Sequence, residues 1–321
     1  MSVFFSDYEN LQQVLDQARV IAIRNPRAVA ARGRRGAVGL GVGVGRGIGV
    51  GARAWLPSDL ANSTNWFNPD QEVGAYNGRT GVFTPATSGT ATHFKWVGST
   101  NNTLMQTTGT NASTGLTLFN ETFGGKGQQF RVLQTTVLAN VRVNTAIGGN
   151  AESLTGENLF MAFVCKVSNF ASKGFLKAQN FGGSKGYEAE FNSSGIPVFK
   201  FKNNTESETT ESHTGSFGPT SGQYQVHVVQ RFGNKLVWTI DGTKCIDVTT
   251  SYLGGTGTGA LHLFKSIAVN SEPDYGLAEF FKNNTSVTRE IDRLKAEGYL
   301  AHKYSITLPR NHRYRKSAPS A

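Results

Sequence analysis

Between Trp55 and Asn283 the sequence is a series of short alternating apolar segments, separated at close intervals by glycine, asparagine and serine. Alternation with a period of two is typical of strands with one buried face, and repeated turn signals favour antiparallel sheets. The clearest predicted strand regions are 93–98, 129–134, 159–168, 186–191, 197–202, 223–249, 258–265 and 275–282. We therefore expect an all-β protein built as an antiparallel sandwich.

The segment 223–249 predicts the most definite hairpin. Gly233-Asn234 marks one reversal, and Asp241-Gly242 is a strong signal for a type I′ turn. Five apolar residues of this segment are expected to face the interior of the sandwich: Val226, Val228, Leu236, Trp238 and Ile240.

The hydrophobic period changes near the C-terminus. Thr288 is suited to begin a helix, and Glu290 with Asp292 would lie in its first turn, where the helix dipole favours acids. A single helix is therefore predicted over 289–302, with Ile291 and Leu294 packed on the sandwich.

The N-terminal region, residues 1–53, has a different character. Ser6 and Glu9 form a capping box before an amphipathic helix predicted over 6–24. Residues 36–53 alternate glycine with valine, leucine or isoleucine, which fits either a flexible linker or a strand added to another subunit. Both interpretations remain open.

The net charge of +10 is concentrated at the two ends of the chain. Residues 1–53 have eight arginines against three acids, and residues 302–321 have five basic residues and no acid. Basic ends on a neutral domain predict attachment to an acidic partner or packing between subunits. The expected anchoring residues are Leu11, Val14, Leu15, Arg19, Arg24, Arg27, Arg32, Arg34 and Arg35.

The partners expected for this N-terminal arm are other proteins. No aromatic residue lies among its arginines to stack on bases, so nucleic acid is not the expected partner. No run of about 18 apolar residues predicts a membrane span. The acidic start without a continuous apolar core also predicts no secretion signal.

Groups able to carry catalysis are sparse. Glu272, Asp274 and Glu279 approach a glycanase cluster, but an odd offset of five residues puts Glu279 on the other strand face. The histidines lack metal-ligand spacing, and Cys165 with Cys245 lie in apolar strand patterns typical of buried thiols. We expect no enzyme activity, no catalytic residue, no metal and no cofactor.

The C-terminal part carries recognisable motifs at 276–281 (GLAEFF), 297–304 (EGYLAHKY) and 308–314 (LPRNHRY). With the opening at 55–60 (WLPSDL), these motifs resemble concanavalin A-like (laminin-G-like) jelly-roll domains, which are frequent in phage and other virion proteins. The resemblance spans about 55–314 and implies a concanavalin A-like antiparallel β-sandwich (jelly roll) with one short C-terminal helix, onto which His302 and His312 pack the tail. In the family a proline often follows the motif histidine, whereas Arg313 follows His312 here. The predicted division is an arm at 1–53, a jelly-roll domain at 54–304 and a basic tail at 305–321.

Sugar-binding sites use exposed aromatic rings beside polar turns. Four aromatic residues border such turns and are the glycan-binding candidates: Trp96, Tyr187, Tyr252 and Tyr275. Trp96 is also compatible with a core position.

The resemblance and the charge distribution together predict a non-enzymatic structural protein on the exterior of a virion. It would act as a capsid decoration, fibre or tail adhesion module, anchored to capsid or tail proteins by residues 1–53 and assembled as a homo-oligomer. The alternative is a carbohydrate-binding adhesin of a virus or bacterium that recognises a surface glycan. A glycanase is the third and least favoured function.

Overall fold

Strands make up most of the chain described by the computed structural model. The described residues are 53–60, 65–68, 73–77, 82–85, 89–90, 93–95, 104–108, 116–123, 128–135, 142–147, 152–153, 157–168, 173–179, 186–202, 211–251, 258–263, 275–283 and 289–320. The N-terminal arm predicted over 1–53, with its nine anchoring residues, lies outside this description except for Arg53.

The strands are numbered in chain order. They are β1 (Asn65–Phe67), β2 (Val73–Asn77), β3 (Val82–Pro85), β4 (Gly89–Thr90), β5 (His93–Lys95), β6 (Leu104–Thr108), β7 (Leu116–Phe123), β8 (Gln128–Thr135), β9 (Arg142–Ile147), β10 (Glu152–Ser153), β11 (Phe160–Val167), β12 (Lys173–Gln179), β13 (Gly186–Phe191), β14 (Pro197–Lys202), β15 (Glu211–Thr214), β16 (Tyr224–Phe232), β17 (Lys235–Ile240), β18 (Thr243–Thr249), β19 (Thr258–Leu263) and β20 (Tyr275–Asn283). A 3₁₀ turn (Pro57–Asp59) precedes β1, and helix α1 (Glu290–Lys303) follows β20.

These strands form two antiparallel sheets. The first sheet runs β18-β17-β16-β11-β20-β8-β7-β4, and β1 also pairs with β20. The second runs β15-β14-β13-β12-β19-β9-β6-β5-β2-β3, and β10 also pairs with β19. Neighbours distant in sequence, such as β11 beside β20, make this a jelly-roll-like sandwich and not a simple meander. The predicted all-β class with one C-terminal helix is confirmed.

The central strand β11 is buried on both faces. Met161, Phe163 and Cys165 belong to a core cluster that also contains Tyr187 and Phe199 of the second sheet. Phe160, Ala162 and Val164 belong to a second cluster, which contains Leu300 and Tyr304 from α1 and its end. Both faces of β11 are buried, one against the second sheet and one against α1, and this explains why its residues are apolar without interruption. The described part of residues 52–321 therefore has three layers: the second sheet, the first sheet, and a layer formed by α1 and the C-terminal residues.

The predicted hairpin is present, but its valines face the other side. The turn residues Asp241 and Gly242 have φ values of 49° and 78°, as a type I′ turn requires. Leu236, Trp238 and Ile240 lie in the cluster between the sheets, as predicted. The inward placement of Val226 and Val228 was wrong, because both lie in the cluster beneath α1. The inward residue of β16 is Val229, which pairs with Trp238.

Helix α1 begins one residue later than predicted. Its N-cap residue is Arg289, which makes no side-chain cap and instead donates to Asp292 from Nε at 3.0 Å. Ile291 and Leu294 are only half-buried, whereas Ala296, Leu300 and Ala301 are buried. The predicted buried face of the helix, with Ile291 and Leu294, was therefore wrong. The face that packs on the sheet includes two charged residues, Arg293 and Glu297, which an apolar pattern does not indicate.

The C-terminal residues are part of the folded unit, which spans Ala52–Ala321. The backbone N–H of Trp55 donates to the carbonyl of Pro319 at 3.0 Å, and Ala54 forms an isolated antiparallel bridge with Ser320. Leu308 and His312 are buried. The predicted basic tail is thus ordered over residues 305–320 and packs on the domain, and we call these residues the strap. Its end lies beside the first described residues of the sandwich.

Within the described ranges, no helix has the length and apolar character needed to cross a membrane.

Trp238 tests the core between the sheets. Its side chain is fully buried, so Trp238→Ala should lower the free energy of unfolding by about 3–5 kcal/mol. Urea titration followed by circular dichroism would measure the loss. Phe119→Ala is the matched control, since Phe119 is 39% exposed and its truncation should cost less than about 1 kcal/mol. Equal losses in the two variants would contradict the assigned register.

Candidate functional site

The structure excludes one of the four predicted glycan-binding aromatics. Tyr187 is 1% exposed and its ring stacks on Phe199 at a centroid distance of 5.9 Å. Burial also raises the pKa of its phenol well above the usual value. Its selection was wrong, because a ring inside the sandwich cannot stack on a sugar in solvent. Trp96 and Tyr252 lie outside the described residues, and Tyr275 begins β20 with its side chain undescribed.

A buried carboxylate, Glu279, joins β20 to the helical layer. Its side chain accepts hydrogen bonds from Trp66 Nε1 at 2.6 Å, Tyr299 OH at 3.0 Å, Tyr304 OH at 2.8 Å and Lys303 Nζ at 2.5 Å. The residue is fully buried. Because four donors surround the two oxygens, this carboxylate holds the helix end against the sheet and is not available to a substrate.

A second buried carboxylate, Glu297, joins α1 to the strap. It accepts from Thr239 Oγ1 at 2.6 Å, Arg293 Nη1 at 2.7 Å and His312 Nε2 at 2.8 Å. The backbone N–H of Tyr314 donates to the other imidazole nitrogen of His312 at 3.1 Å. That bond makes Nδ1 an acceptor, so the ring proton lies on Nε2, facing the carboxylate. The expectation that His312 packs the tail on the sandwich is confirmed.

His302 holds the same strap from the exposed side of α1, since its Nε2 lies 2.6 Å from the carbonyl oxygen of Tyr314. Two glycines allow the close approach. A Cβ on Gly298 would lie 2.5 Å from Cβ of Tyr314, and one on Gly242 would lie 2.9 Å from Cδ2 of His312. The strap therefore fits a seat formed by α1 and the β17–β18 turn.

The buried thiols and imidazole are poorly suited to nucleophilic or acid–base chemistry. Burial raises the pKa of Cys245 to about 12 and raises that of Cys165 as well. Burial lowers the pKa of His227 to about 3, so this ring is neutral between Phe163 and Phe191. A thiol needs a lowered pKa to react, and these environments act in the opposite direction. Both cysteines are free and buried.

Among the described residues, no group of three or more histidine, cysteine, aspartate or glutamate side chains has a geometry that could hold a metal ion.

The second sheet carries a row of polar positions on the face opposite the core. Tyr187, Ala189 and Phe191 of β13 face the core, so Glu188 and Glu190 lie on the other face. Directly paired residues of antiparallel strands share a face, so Lys200 of β14 and Ser212 of β15 lie on the same face as Glu188.

Charges of opposite sign alternate at one end of this row. Lys200 forms an ion pair with Glu190, and Lys202 Nζ lies 3.9 Å from an oxygen of the buried Glu188. Ser212 is exposed on the edge strand β15. Glu188 and Lys202 are buried, so the described positions of this row that can reach a ligand with hydroxyl groups are the half-buried Glu190 and Lys200 and the exposed Ser212.

The sequence reasoning missed both buried carboxylate clusters. Glu279 was considered only as a possible catalytic acid, and Glu297 only as part of a motif. One signal was present for Glu279: it lies among the apolar residues of a predicted strand, and a buried acid requires donors. Its donors Tyr299, Lys303 and Tyr304 are 20 or more positions away in the sequence, so the spacing along the strand did not indicate them.

No protein-family model and no curated protein matches the sequence. Among solved structures, the chain is similar to the binding domain of Paraclostridial Mosquitocidal Protein 1, with 11% identity over 61% of this chain and 47% of that chain, at a TM-score of 0.45. The binding domain of botulinum neurotoxin DC, in complex with rat synaptotagmin II, has 13% identity over 57% and 46% of the two chains, at a TM-score of 0.39.

A third structure, the Ruminococcus gnavus IT-sialidase CBM40 bound to alpha2,3 sialyllactose, has 10% identity over 41% of this chain and 78% of that chain, at a TM-score of 0.35. The chain spans about half the length of the first two structures. At this level of similarity no ligand can be transferred to this chain.

Glu297 tests the strap cluster. Glu297→Gln leaves the donors of Arg293 and His312 buried with an incomplete acceptor, so it should lower the free energy of unfolding by about 3–5 kcal/mol. Glu290→Gln is the control on the same helix: its side chain is 66% exposed and contacts the same arginine, so about 0–1 kcal/mol is expected. Thermal and urea unfolding would measure both, and equal effects would contradict the structural role of Glu297.

Proposed function

We propose that this chain is a non-enzymatic structural protein of a virion, displayed on the particle exterior as a decoration, fibre or tail adhesion module. The observation that carries the non-enzymatic part is the saturation of Glu279. Within the described residues, this nearest equivalent of a catalytic acid accepts four hydrogen bonds from structural donors.

The virion assignment is supported by the sequence. The motifs at 276–281, 297–304 and 308–314 resemble the ending of jelly-roll domains found in virion proteins. In the structure these motifs hold the two carboxylate clusters and the strap. Glu279 and Glu297 hold the helix and the strap on the sheet, and a domain fixed by such buried contacts is suited to display on a particle.

Attachment is assigned to residues 1–53 because their charge and amphipathic pattern differ from those of the neutral sandwich. A lone amphipathic helix is marginal in water and needs a partner surface. The partners proposed are capsid or tail proteins, with further copies of this chain forming a homo-oligomer.

Particle association tests this function. The chain should band with intact particles in a density gradient, and antibodies against the sandwich should bind unopened particles. A chain lacking residues 1–53 should be soluble but absent from the particle band. Attachment of the parent chain should also weaken as salt rises, because exposed charge contacts are screened.

Two results would contradict this proposal in different ways. Absence of the full chain from particles would rule out the virion role. Incorporation of the shortened chain at the parent level would instead place the anchoring surface on the sandwich and leave the virion role intact.

A carbohydrate-binding adhesin is the second candidate, and the polar row of the second sheet favours it. A glycan array probed with the full chain would test it directly. Ser212→Arg, which places a large side chain at the exposed end of the row, should abolish any glycan signal. Thr243→Arg, at an exposed strand position of the other sheet, should leave that signal unchanged. A signal insensitive to Ser212→Arg would exclude this part of the face as the site.

A further inference from the structure

The strap presents a line of exposed cations that the proposed attachment through residues 1–53 does not use. Arg310, Arg313, Arg315 and Lys316 are all exposed. Throughout the described part of the chain, none of the four forms an ion pair with a carboxylate. Three cations elsewhere on the described surface behave differently: Lys235 and Lys244 both pair with Asp247, and Arg289 pairs with Asp292. The strap is therefore a surface of uncompensated positive charge.

The backbone of the strap folds into two short turns that carry these cations. The N–H of His312 donates to the carbonyl of Pro309 at 3.0 Å, and the N–H of Arg315 donates to that of His312 at 3.1 Å. Arg310 and Arg313 each follow the residue that accepts the hydrogen bond of their turn, and Lys316 follows the second turn. The four cations therefore lie within one short ordered segment, residues 310–316.

The strap is held rigid from beneath. Leu308 packs in the cluster under α1, and His312 is fixed between Glu297 and the backbone of Tyr314. The end of the strap is tied by the bond from Trp55 N–H to Pro319. Because the backbone is already ordered, a partner would meet these cations without the cost of ordering a flexible tail.

We propose that the strap is a docking surface for a partner protein that presents a row of carboxylates on a helix. Acidic side chains at i and i+3 or i+4 positions of a helix present several carboxylates on one face, about 5–6 Å apart, and the strap presents four exposed cations within residues 310–316. Arginine forms bidentate hydrogen bonds with carboxylates, which favours this partner. The surface adds a second attachment point to the proposed function and is tested without particles, so the two can fail separately.

Nucleic acid fits the strap less well. A protein that relies on phosphate contacts usually makes about 6–10 of them, and the strap offers four cations. Stacking on bases requires a free aromatic face, but Tyr314 is half-buried and the Arg313 guanidinium lies 5.6 Å from the centre of its ring. Duplex DNA is therefore the competing probe in the test.

The experiment uses full-length protein in which Arg19, Arg24, Arg27, Arg32, Arg34 and Arg35 are changed to Gln, which removes six of the eight arginines of the N-terminal arm. The probe is a fluorescent helical peptide with glutamates at i, i+3 and i+7 positions, and its glutamine counterpart is the control peptide. Anisotropy is measured at about 50 mM and about 150 mM salt, because screening should weaken the contact.

Two variants that each lose three positive charges are compared in this background. Arg310→Gln, Arg313→Gln and Lys316→Gln combined should weaken binding of the glutamate peptide about tenfold. Lys235→Gln, Lys244→Gln and Arg289→Gln combined removes three surface cations elsewhere and should change the affinity less than about threefold. Both proteins should melt within a few degrees of the parent, because the side chains are exposed.

The expected result is selective loss in the strap variant together with weak binding of the glutamine peptide. Equal loss in both variants, or no binding of the glutamate peptide at low salt, would overturn the proposal. Tighter binding of a short DNA duplex than of the glutamate peptide would overturn it in favour of a nucleic-acid surface.

Discussion

The strand β11 determines the architecture because both of its faces are buried. A sandwich of two sheets covers only one face, so Phe160, Ala162 and Val164 need a further layer. Helix α1 and the strap supply that layer. The domain consequently has a structural requirement for its C-terminal residues that a plain two-sheet sandwich would not have.

The third layer is attached by apolar packing on the first sheet and by two buried polar clusters. Glu279 accepts hydrogen bonds from β1 and from the end of α1. Glu297 accepts hydrogen bonds from β17, α1 and the strap. Each cluster links elements distant in sequence, since Thr239 and Glu297 are 58 positions apart. Unlike apolar packing, such clusters accept only one arrangement, because any displaced donor or acceptor would be left buried and unpaired. They therefore define how the helix and strap are seated.

The sequence predicted the features that depend on local pattern. Strand positions, the Asp241-Gly242 turn and the single C-terminal helix follow from periodicity and turn residues. The direction of the valines on β16 could not be taken from alternation, because Val228 and Val229 are adjacent and each faces a different core. By contrast, alternation of Tyr187 with Glu188 did indicate a buried tyrosine, and proximity to a turn was given too much weight. The partners of Glu279 and Glu297 depend on tertiary contacts that no local pattern contains.

The packing leaves specific surfaces for recognition. Helix α1 and the strap pack on the outer face of the first sheet, whereas Ser212 lies exposed on the edge strand β15 of the second sheet. The strap, which covers part of the first sheet, has exposed side chains of its own. His312 and Leu308 face inward and seat the strap, which turns Arg310 and Arg313 outward. Buried and exposed residues thus alternate along the strap: Leu308 and His312 complete the core, and Arg310 and Arg313 form a basic surface. Residues that composition alone classified as a tail are therefore an ordered part of the domain.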